Sequence, residues 1–140
     1  MSVEYLLDTV VLNAYLRGRK GAVERIDGWM AESRVSTSIL VYAEIVEFVL
    51  GLPDAERRHA ELRQVLAIVH PYQLTYPILV RYALLRREMR QPHGPGIIGD
   101  VDTLIAATAM ERNATVATID GDFTRVPGLR IVHLDRASLR

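Results

Sequence analysis

The chain has 140 residues, of which 49% are hydrophobic and 24% are charged. These values are typical of a globular protein and exclude a disordered or fibrous one. The chain contains no cysteine, which excludes a disulfide framework, a zinc–thiolate site and a thiol nucleophile. Its 17 basic and 17 acidic residues balance, so net charge gives no argument for nucleic-acid binding.

The length and the apolar pattern indicate one domain over residues 1–140 and no membrane span. No apolar run approaches the roughly 18 residues that a membrane-spanning helix requires. Residues 1–4 lack the basic stretch of a signal peptide. We find no repeat, linker or low-complexity segment, and we therefore expect a single-domain cytoplasmic protein.

Short apolar strands and amphipathic helices alternate along the chain. In chain order we predict strand 5–8, helix 9–16, helix 22–33, strand 34–36, helix 39–50, helix 54–67, a strand or loop at 68–74, helix 77–90, an irregular segment at 91–96, helix 101–112, strand 114–119, loop 120–128 and strand 129–134. This alternation favours an α/β sandwich with a parallel sheet.

Five carboxyl side chains stand in unusually apolar sequence: Asp8, Glu44, Asp102, Asp120 and Asp122. Asp8 closes the first strand, and Asp120 and Asp122 directly follow the strand at 114–119. In an open parallel sheet, ligands bind at the carboxyl ends of strands. Glu44 lies inside an apolar helix and Asp102 precedes the apolar start of another. The pattern therefore predicts an acidic site at one edge of the sheet.

Such a group of acids needs a cation. Burying one unpaired carboxylate costs several kcal/mol, and neighbouring carboxylates repel one another. A hard divalent ion such as Mg²⁺ or Mn²⁺ prefers oxygen ligands and resolves that repulsion. Bound Mg²⁺ or Mn²⁺ can activate water for attack on a phosphodiester. We therefore interpret the five acids as a metal-binding, hydrolytic site.

Each acid also has a purely structural interpretation. Asp102 can complement the positive end of its helix, although Asp100 is better placed to cap it. Asp120 and Asp122 can form a turn around the glycine between them. Glu44 can be neutralised by an arginine or lie on a polar strip, and the first acid can simply end its strand. Their joint spacing is what favours the functional interpretation.

Taken together, these segments resemble the PIN-domain family, in particular the VapC toxins of type II toxin–antitoxin systems. Residues 6–9, Leu-Leu-Asp-Thr, resemble the opening L-D-T motif, and residues 43–45 resemble the second motif, A-E-I. Residues 98–109 are similar to I-x-x-x-D-x-L-I-A-A-x-A, which assigns the ligand role to Asp102. Residues 118–129 resemble the ending T-x-D-x-D-F followed by V-P-G-L.

The resemblance implies a three-layer α/β/α sandwich with a short central parallel sheet. It implies a Mg²⁺- or Mn²⁺-dependent endoribonuclease in which Asp8, Glu44 and Asp102 bind metal. Either Asp120 or Asp122 would complete the site, and the sequence leaves that choice open. The implied partners are an RNA substrate, a second copy in a homodimer and a VapB-type antitoxin that covers the acidic pocket. DNA contact would come only through the antitoxin.

One position departs from the family pattern. Members usually carry Asn or Ser two residues after the first Asp, where this chain has Val10. The departure favours an alternative in which the acidic pocket is catalytically weak and mainly docks a protein partner, for example through an arginine. A third class, phosphoryl transfer with Asp8 as nucleophile, is poorly supported because Lys20 is the only lysine available to bind phosphate.

Arginine supplies 16 of the 17 basic residues, and its planar fork suits phosphate oxygens. Two groups are candidates for RNA contact, or else simply solvated charge: Arg81, Arg86, Arg87 and Arg90 on one predicted helix, and Arg17, Arg19 and Lys20 after the first helix. On the same helix as the first group, Tyr82 is compatible with base stacking or with a dimer interface.

Overall fold

The computed structural model describes residues 3–139. Met1 and Ser2, on which part of the signal-peptide prediction rests, lie outside the described residues. The elements in chain order are β1 (Tyr5–Leu7), α1 (Thr9–Leu16), α2 (Lys20–Ala31), β2 (Val35–Ser38), α3 (Ile39–Leu50), α4 (Ala55–Leu66), β3 (His70–Tyr72), α5 (Tyr76–Met89), α6 (Asp100–Glu111), β4 (Thr115–Thr118) and β5 (Ile131–His133), with 3₁₀ helices at Gly121–Arg125 and Arg136–Leu139.

The five strands form one parallel sheet in the order β3-β2-β1-β4-β5. The central strand, β1, pairs with β2 on one side and β4 on the other, so that Leu7 lies opposite Thr37 and Ala117. Leu6 and Leu7 are fully buried. The predicted α/β sandwich with a short central parallel sheet is confirmed. Because β1 is the central strand, its end lies at the middle of the carboxyl edge of the sheet.

Short polar side chains start three of the helices. Asp8 accepts a hydrogen bond from the backbone of α1 and caps that helix. Ser38 caps α3, since its hydroxyl accepts from the Leu40 amide at 3.1 Å. Thr75 caps α5 in the same way, and Pro77 occupies the first turn, where no amide donor is needed.

The buried hydrophobic side chains of residues 3–139 form one cluster around the sheet. The helix of greatest burial is α6, in which Ile105, Ala106 and Ala107 are at most 1% exposed. The prediction of one domain over residues 1–140 stays a prediction, and the single cluster supports it. No helix in the described part of the chain has the length and apolar character needed to cross a bilayer.

The structure differs from the predicted elements in a few segments. Helix α2 begins at Lys20, before Gly21, because Ala22 and Ile26 bury its inner face. The ambiguous segment at 68–74 contains an edge strand, where Pro71 is tolerated because one side of an edge strand needs no donor. The predicted loop at 120–128 contains a 3₁₀ helix, which local turn signals did not distinguish from a loop.

We expect Gly94→Ala to destabilise the protein, because a Cβ atom there would lie 2.1 Å from the Glu88 carbonyl oxygen and 2.6 Å from the Met89 carbonyl carbon. Neither backbone atom can move without displacing the end of α5. We expect a loss of about 1–3 kcal/mol in the free energy of unfolding, measured by urea denaturation.

Gly28→Ala is the matched control. Nothing lies within 4 Å of a Cβ atom at this position inside α2, so alanine should leave stability unchanged or raise it by about 0.5–1 kcal/mol. Equal stability of Gly94→Ala and the wild type would show that the close approach to α5 is not a constraint.

Candidate metal centre

The carboxyl ends of β1 and β4 lie side by side at the middle of the sheet. Their parallel register sets Leu7 opposite Ala117, and the Asp8 amide donates to the Ala117 carbonyl at 3.2 Å. Asp8 directly follows the last residue of β1, and Asp120 is the second residue after the end of β4. The sheet therefore brings the first and last predicted acidic motifs together, as the carboxyl-edge argument predicted.

Asp8 is the most buried of the five acids, with 6% of its surface exposed. One carboxylate oxygen accepts from the Val11 amide at 3.2 Å, and the other accepts from the Thr118 hydroxyl. Burial raises the pKa of Asp8, and the charges of Asp120 and Glu44 raise it further, whereas the two donors lower it. The local structure thus fixes this carboxylate in place without fully offsetting the cost of its burial.

Asp102 lies in the first turn of α6 and is half-buried. Within residues 3–139, its side chain makes no hydrogen bond or ion pair. Burial raises its pKa to about 6, with further contributions from four carboxylates: Asp120, Glu44, Asp8 and Asp122, in decreasing order. The five predicted acids therefore share one electrostatic environment, and Asp102 is the member that lacks a protein donor.

Glu44 reaches the same environment from α3. It is half-buried and accepts a hydrogen bond from the hydroxyl of Thr9, at the start of α1. Its partner within residues 3–139 is therefore a neutral hydroxyl, and no arginine pairs with it there. The hydrogen bond ties α3 to the residue that follows Asp8.

The two acids around Gly121 differ in their surroundings. Asp120 is the strongest charge acting on Asp102 and also raises the pKa of Asp8. Asp122 is the weakest charge acting on Asp102, and its carboxylate is 2.7 Å from the Arg125 guanidinium. The carboxylate of Asp120 also accepts from the Asp122 amide at 2.8 Å. The charge of Asp120 therefore acts more strongly on the other acids than the charge of Asp122 does.

The sequence had suggested that Asp100 caps α6, but the structure shows that it does not. The cap position is Gly99, and Asp100 is the first residue of the helix. Its carboxylate lies 2.5 Å from the Arg86 guanidinium and accepts from the Tyr82 hydroxyl at 3.0 Å. Asp100 therefore joins α6 to α5. Asp102 is the acid in the first turn of α6 whose pKa the other carboxylates raise.

Two threonines belong to the site, and sequence reasoning gave neither a role. Thr118 donates to Asp8 and accepts from the Asp120 amide at 2.9 Å, so one hydroxyl links two of the acids. Thr9 donates to the carboxylate of Glu44. Both stand inside the quoted motifs, directly after Asp8 and two residues before Asp120, and that adjacency was the signal available in the sequence.

The donor chemistry of this site fits a hard divalent cation. All five acids offer oxygen ligands, and burial, followed by the charges of the other four acids, raises the pKa of Asp102. Within residues 3–139, no three Asp, Glu or His side chains converge closely enough to form a complete ligand set. Mg²⁺ usually takes one or two carboxylates and keeps several waters, so such a set is not required.

We expect Asp102→Asn to raise the free energy of unfolding of the metal-free protein at neutral pH, because the amide removes a charge that burial and four acids disfavour. The pKa in the folded state is about 6, above the ordinary 3.8. Between these values the folded state binds more protons, so the stability of the wild type falls as pH rises. The gain should therefore be complete above pH 6 and disappear below about pH 4.

The measurement is urea denaturation in EDTA, once above pH 6 and once below about pH 4. Asp100→Asn is the matched control, since it removes a charge from the same helix turn but also weakens contacts with Arg86 and Tyr82. Equal stabilisation by the two substitutions would contradict the electrostatic environment assigned to Asp102.

The sequence profile of the PIN domain matches residues 5–129. No curated protein matches the chain in sequence. Three solved structures illustrate the structural likeness: VapBC2 from Rickettsia felis bound to a promoter DNA fragment (TM-score 0.84, 24% identity, 95% of this chain and 100% of that chain), DNA-bound VapBC from Salmonella typhimurium (0.83, 20%, 94% and 98%) and FitAcB from Neisseria gonorrhoeae (0.78, 26%, 92% and 96%).

These structures share the fold of this chain over almost its whole length. The region that matches the PIN domain runs from the first strand to the end of the fourth acidic motif and includes all five acids. The chain therefore belongs to the PIN domain family.

Proposed function

We propose that this protein is a metal-dependent endoribonuclease and the toxin of a VapBC-type toxin–antitoxin pair. The observation that carries the proposal is the environment of Asp102, whose half-buried carboxyl has no donor within the described residues and whose pKa is raised by burial and by the charges of four other acids. A protein that used these acids only for structure would pair or expose them. The PIN domain match and the likeness to VapBC complexes support this interpretation.

The acids and Thr118 have different roles in the proposed site. Mg²⁺ or Mn²⁺ would be held among Asp8, Glu44 and Asp102, by one or two of these carboxylates directly and by the rest through water, and Asp120 would complete the site or position water. When bound, the cation supplies Lewis-acid activation of water and stabilises charge that develops on the phosphodiester. The hydroxyl of Thr118 orients the Asp8 carboxylate by donating to it.

The proposed partners follow from the resemblance and from the surface. Complexes with this fold from Rickettsia felis and Salmonella typhimurium contain VapBC and DNA, and we propose a VapB-type antitoxin here, with DNA contacted only through it. The outer face of α5 exposes Tyr76, Leu79, Val80 and Leu84, at the spacing of one helix face. We assign this apolar stripe to the proposed homodimer. An intracellular RNA target would place the protein in the cytoplasm.

We expect purified, partner-free protein to cut single-stranded RNA at discrete positions in Mg²⁺ or Mn²⁺ and not in EDTA. Asp8→Asn and Asp102→Asn should each lower the cleavage rate by at least about a hundredfold, since each removes charge from the proposed metal site. The measurement is the initial rate of cleavage, with product ends mapped by sequencing.

Glu56→Gln is the matched control, because Glu56 is an exposed acid on α4 outside the site. It should cleave at the wild-type rate. If the wild type is inert on a broad RNA set and still binds a VapB-type peptide, the pocket is a docking site. That result would favour the alternative suggested by Val10 and would end the ribonuclease proposal.

We expect Asp120→Asn to impair cleavage more than Asp122→Asn, by about tenfold or more in kcat, because Asp120 acts more strongly on Asp102 and Asp122 is already paired with Arg125. Kinetics at saturating Mn²⁺ with one RNA substrate measure the difference. Equal rates, or a greater loss in Asp122→Asn, would assign the fourth acid to Asp122.

A further inference from the structure

A cavity of about 390 Å³ lies near the acidic site. It lies between α1, the start of α2 and the C-terminal 3₁₀ helix Arg136–Leu139. Two of its lining residues adjoin the acids in sequence: Val10 is two residues after Asp8, and Ile119 directly precedes Asp120. We call it the arginine cavity, because Arg17, Arg19 and Arg136 line it.

The arginine cavity concentrates positive charge from separate parts of the chain. Arg17 follows α1, Arg19 precedes α2, and Arg136 belongs to the C-terminal 3₁₀ helix, which packs against α2. No acidic residue lines the cavity. The fold therefore builds a basic site next to an acidic one in a protein whose formal net charge is zero.

These three guanidinium groups are available for a ligand. Within residues 3–139, Arg17, Arg19 and Arg136 make no ion pair and no side-chain hydrogen bond. By contrast, two arginines of α5 that the sequence had suggested for RNA contact are already paired: Arg81 lies 3.5 Å from Glu111, and Arg86 pairs with Asp100. The cavity thus brings together three exposed guanidinium groups that have no protein partner among the described residues.

The wall between the arginines is largely apolar. Val10, Ala14 and Ile119 contribute to it, and 46% of the Val10 surface is exposed. An arginine rim binds phosphate oxygens through its planar fork, while an apolar wall accommodates a sugar or base that has left the stack. The family departure at Val10 therefore falls on the lining of this cavity.

We propose that the arginine cavity binds a backbone phosphate of the RNA strand, beside the phosphodiester that is cut. This inference rests on the proposed ribonuclease function and adds where the substrate strand lies. The five carboxylates repel a polyanion, so a strand that enters their site needs nearby positive charge to offset the repulsion. Arg17, Arg19 and Arg136 supply that charge on the side of α1, and the unpaired arginines of α5 are not needed for it.

The test compares two triple variants with the same change in charge. One is Arg17→Gln/Arg19→Gln/Arg136→Gln in the arginine cavity. The control is Arg25→Gln/Arg63→Gln/Arg130→Gln, three exposed arginines that make no ion pair within residues 3–139 and that lie on α2, on α4 and directly before β5. Circular dichroism and thermal melting establish that both variants are folded.

Binding of a single-stranded RNA is measured in EDTA, where the proposed cleavage cannot occur, over a series of salt concentrations. Each phosphate contact contributes roughly 0.7 to the slope of log K against log salt, so the cavity variant, which loses one phosphate site, should lose about 0.7 from the slope and about tenfold or more in affinity. In Mn²⁺, the same variant should show a raised KM. The control should stay close to the wild type in both assays.

The outcomes separate the inference from the proposed function. If the wild type cleaves RNA in a metal-dependent way and the cavity variant binds and cleaves equally well, the inference is wrong and the function stands. Equal losses in the two triple variants would show an effect of net charge and would also overturn it. If the cavity variant keeps RNA binding but loses a co-expressed antitoxin, the cavity binds protein, and the inference is wrong. A wild type without metal-dependent cleavage ends both proposals.

Discussion

The buried carboxylate of Asp8, at the junction of β1 and β4, is the constraint on which the rest of the site depends. A charge in this position is costly, and only two donors, the Val11 amide and the Thr118 hydroxyl, act against that cost. The parallel pairing of β1 with β4 supplies one of them, because Thr118 ends β4 at the level where β1 ends. The sheet register therefore decides whether the first acid can be tolerated at all.

Short hydroxyl side chains extend this arrangement to other elements. Thr118 connects Asp8 with the backbone of Asp120, and Thr9 connects α1 with Glu44 on α3. Such contacts hold carboxylates at fixed positions without neutralising them, since a hydroxyl carries no charge. The acids therefore stay close and mutually repulsive, which is the condition under which a divalent cation binds favourably.

The arginines are distributed in a complementary way. On α5, Arg81 and Arg86 pair with acids of α6 and so join the two helices. In the arginine cavity, Arg17, Arg19 and Arg136 form part of a lining that has no acid among its described residues. The same residue type thus stabilises the fold in one place and leaves donors for a ligand in another. A net charge of zero conceals this separation.

The alternation of strands and helices and the five acids were predictable from the sequence, because hydrophobic period and motif spacing are local properties of the chain. The family was predictable as well, since its motifs are linear. The difference between Asp120 and Asp122 needed the folded structure, because it depends on the pairing of Asp122 with Arg125 and on how strongly each charge acts on Asp102. The roles of Thr118 and Arg136 are likewise absent from the linear pattern. Each acts on residues far away in sequence, which only the sheet register and the packing of the C-terminal 3₁₀ helix bring within reach.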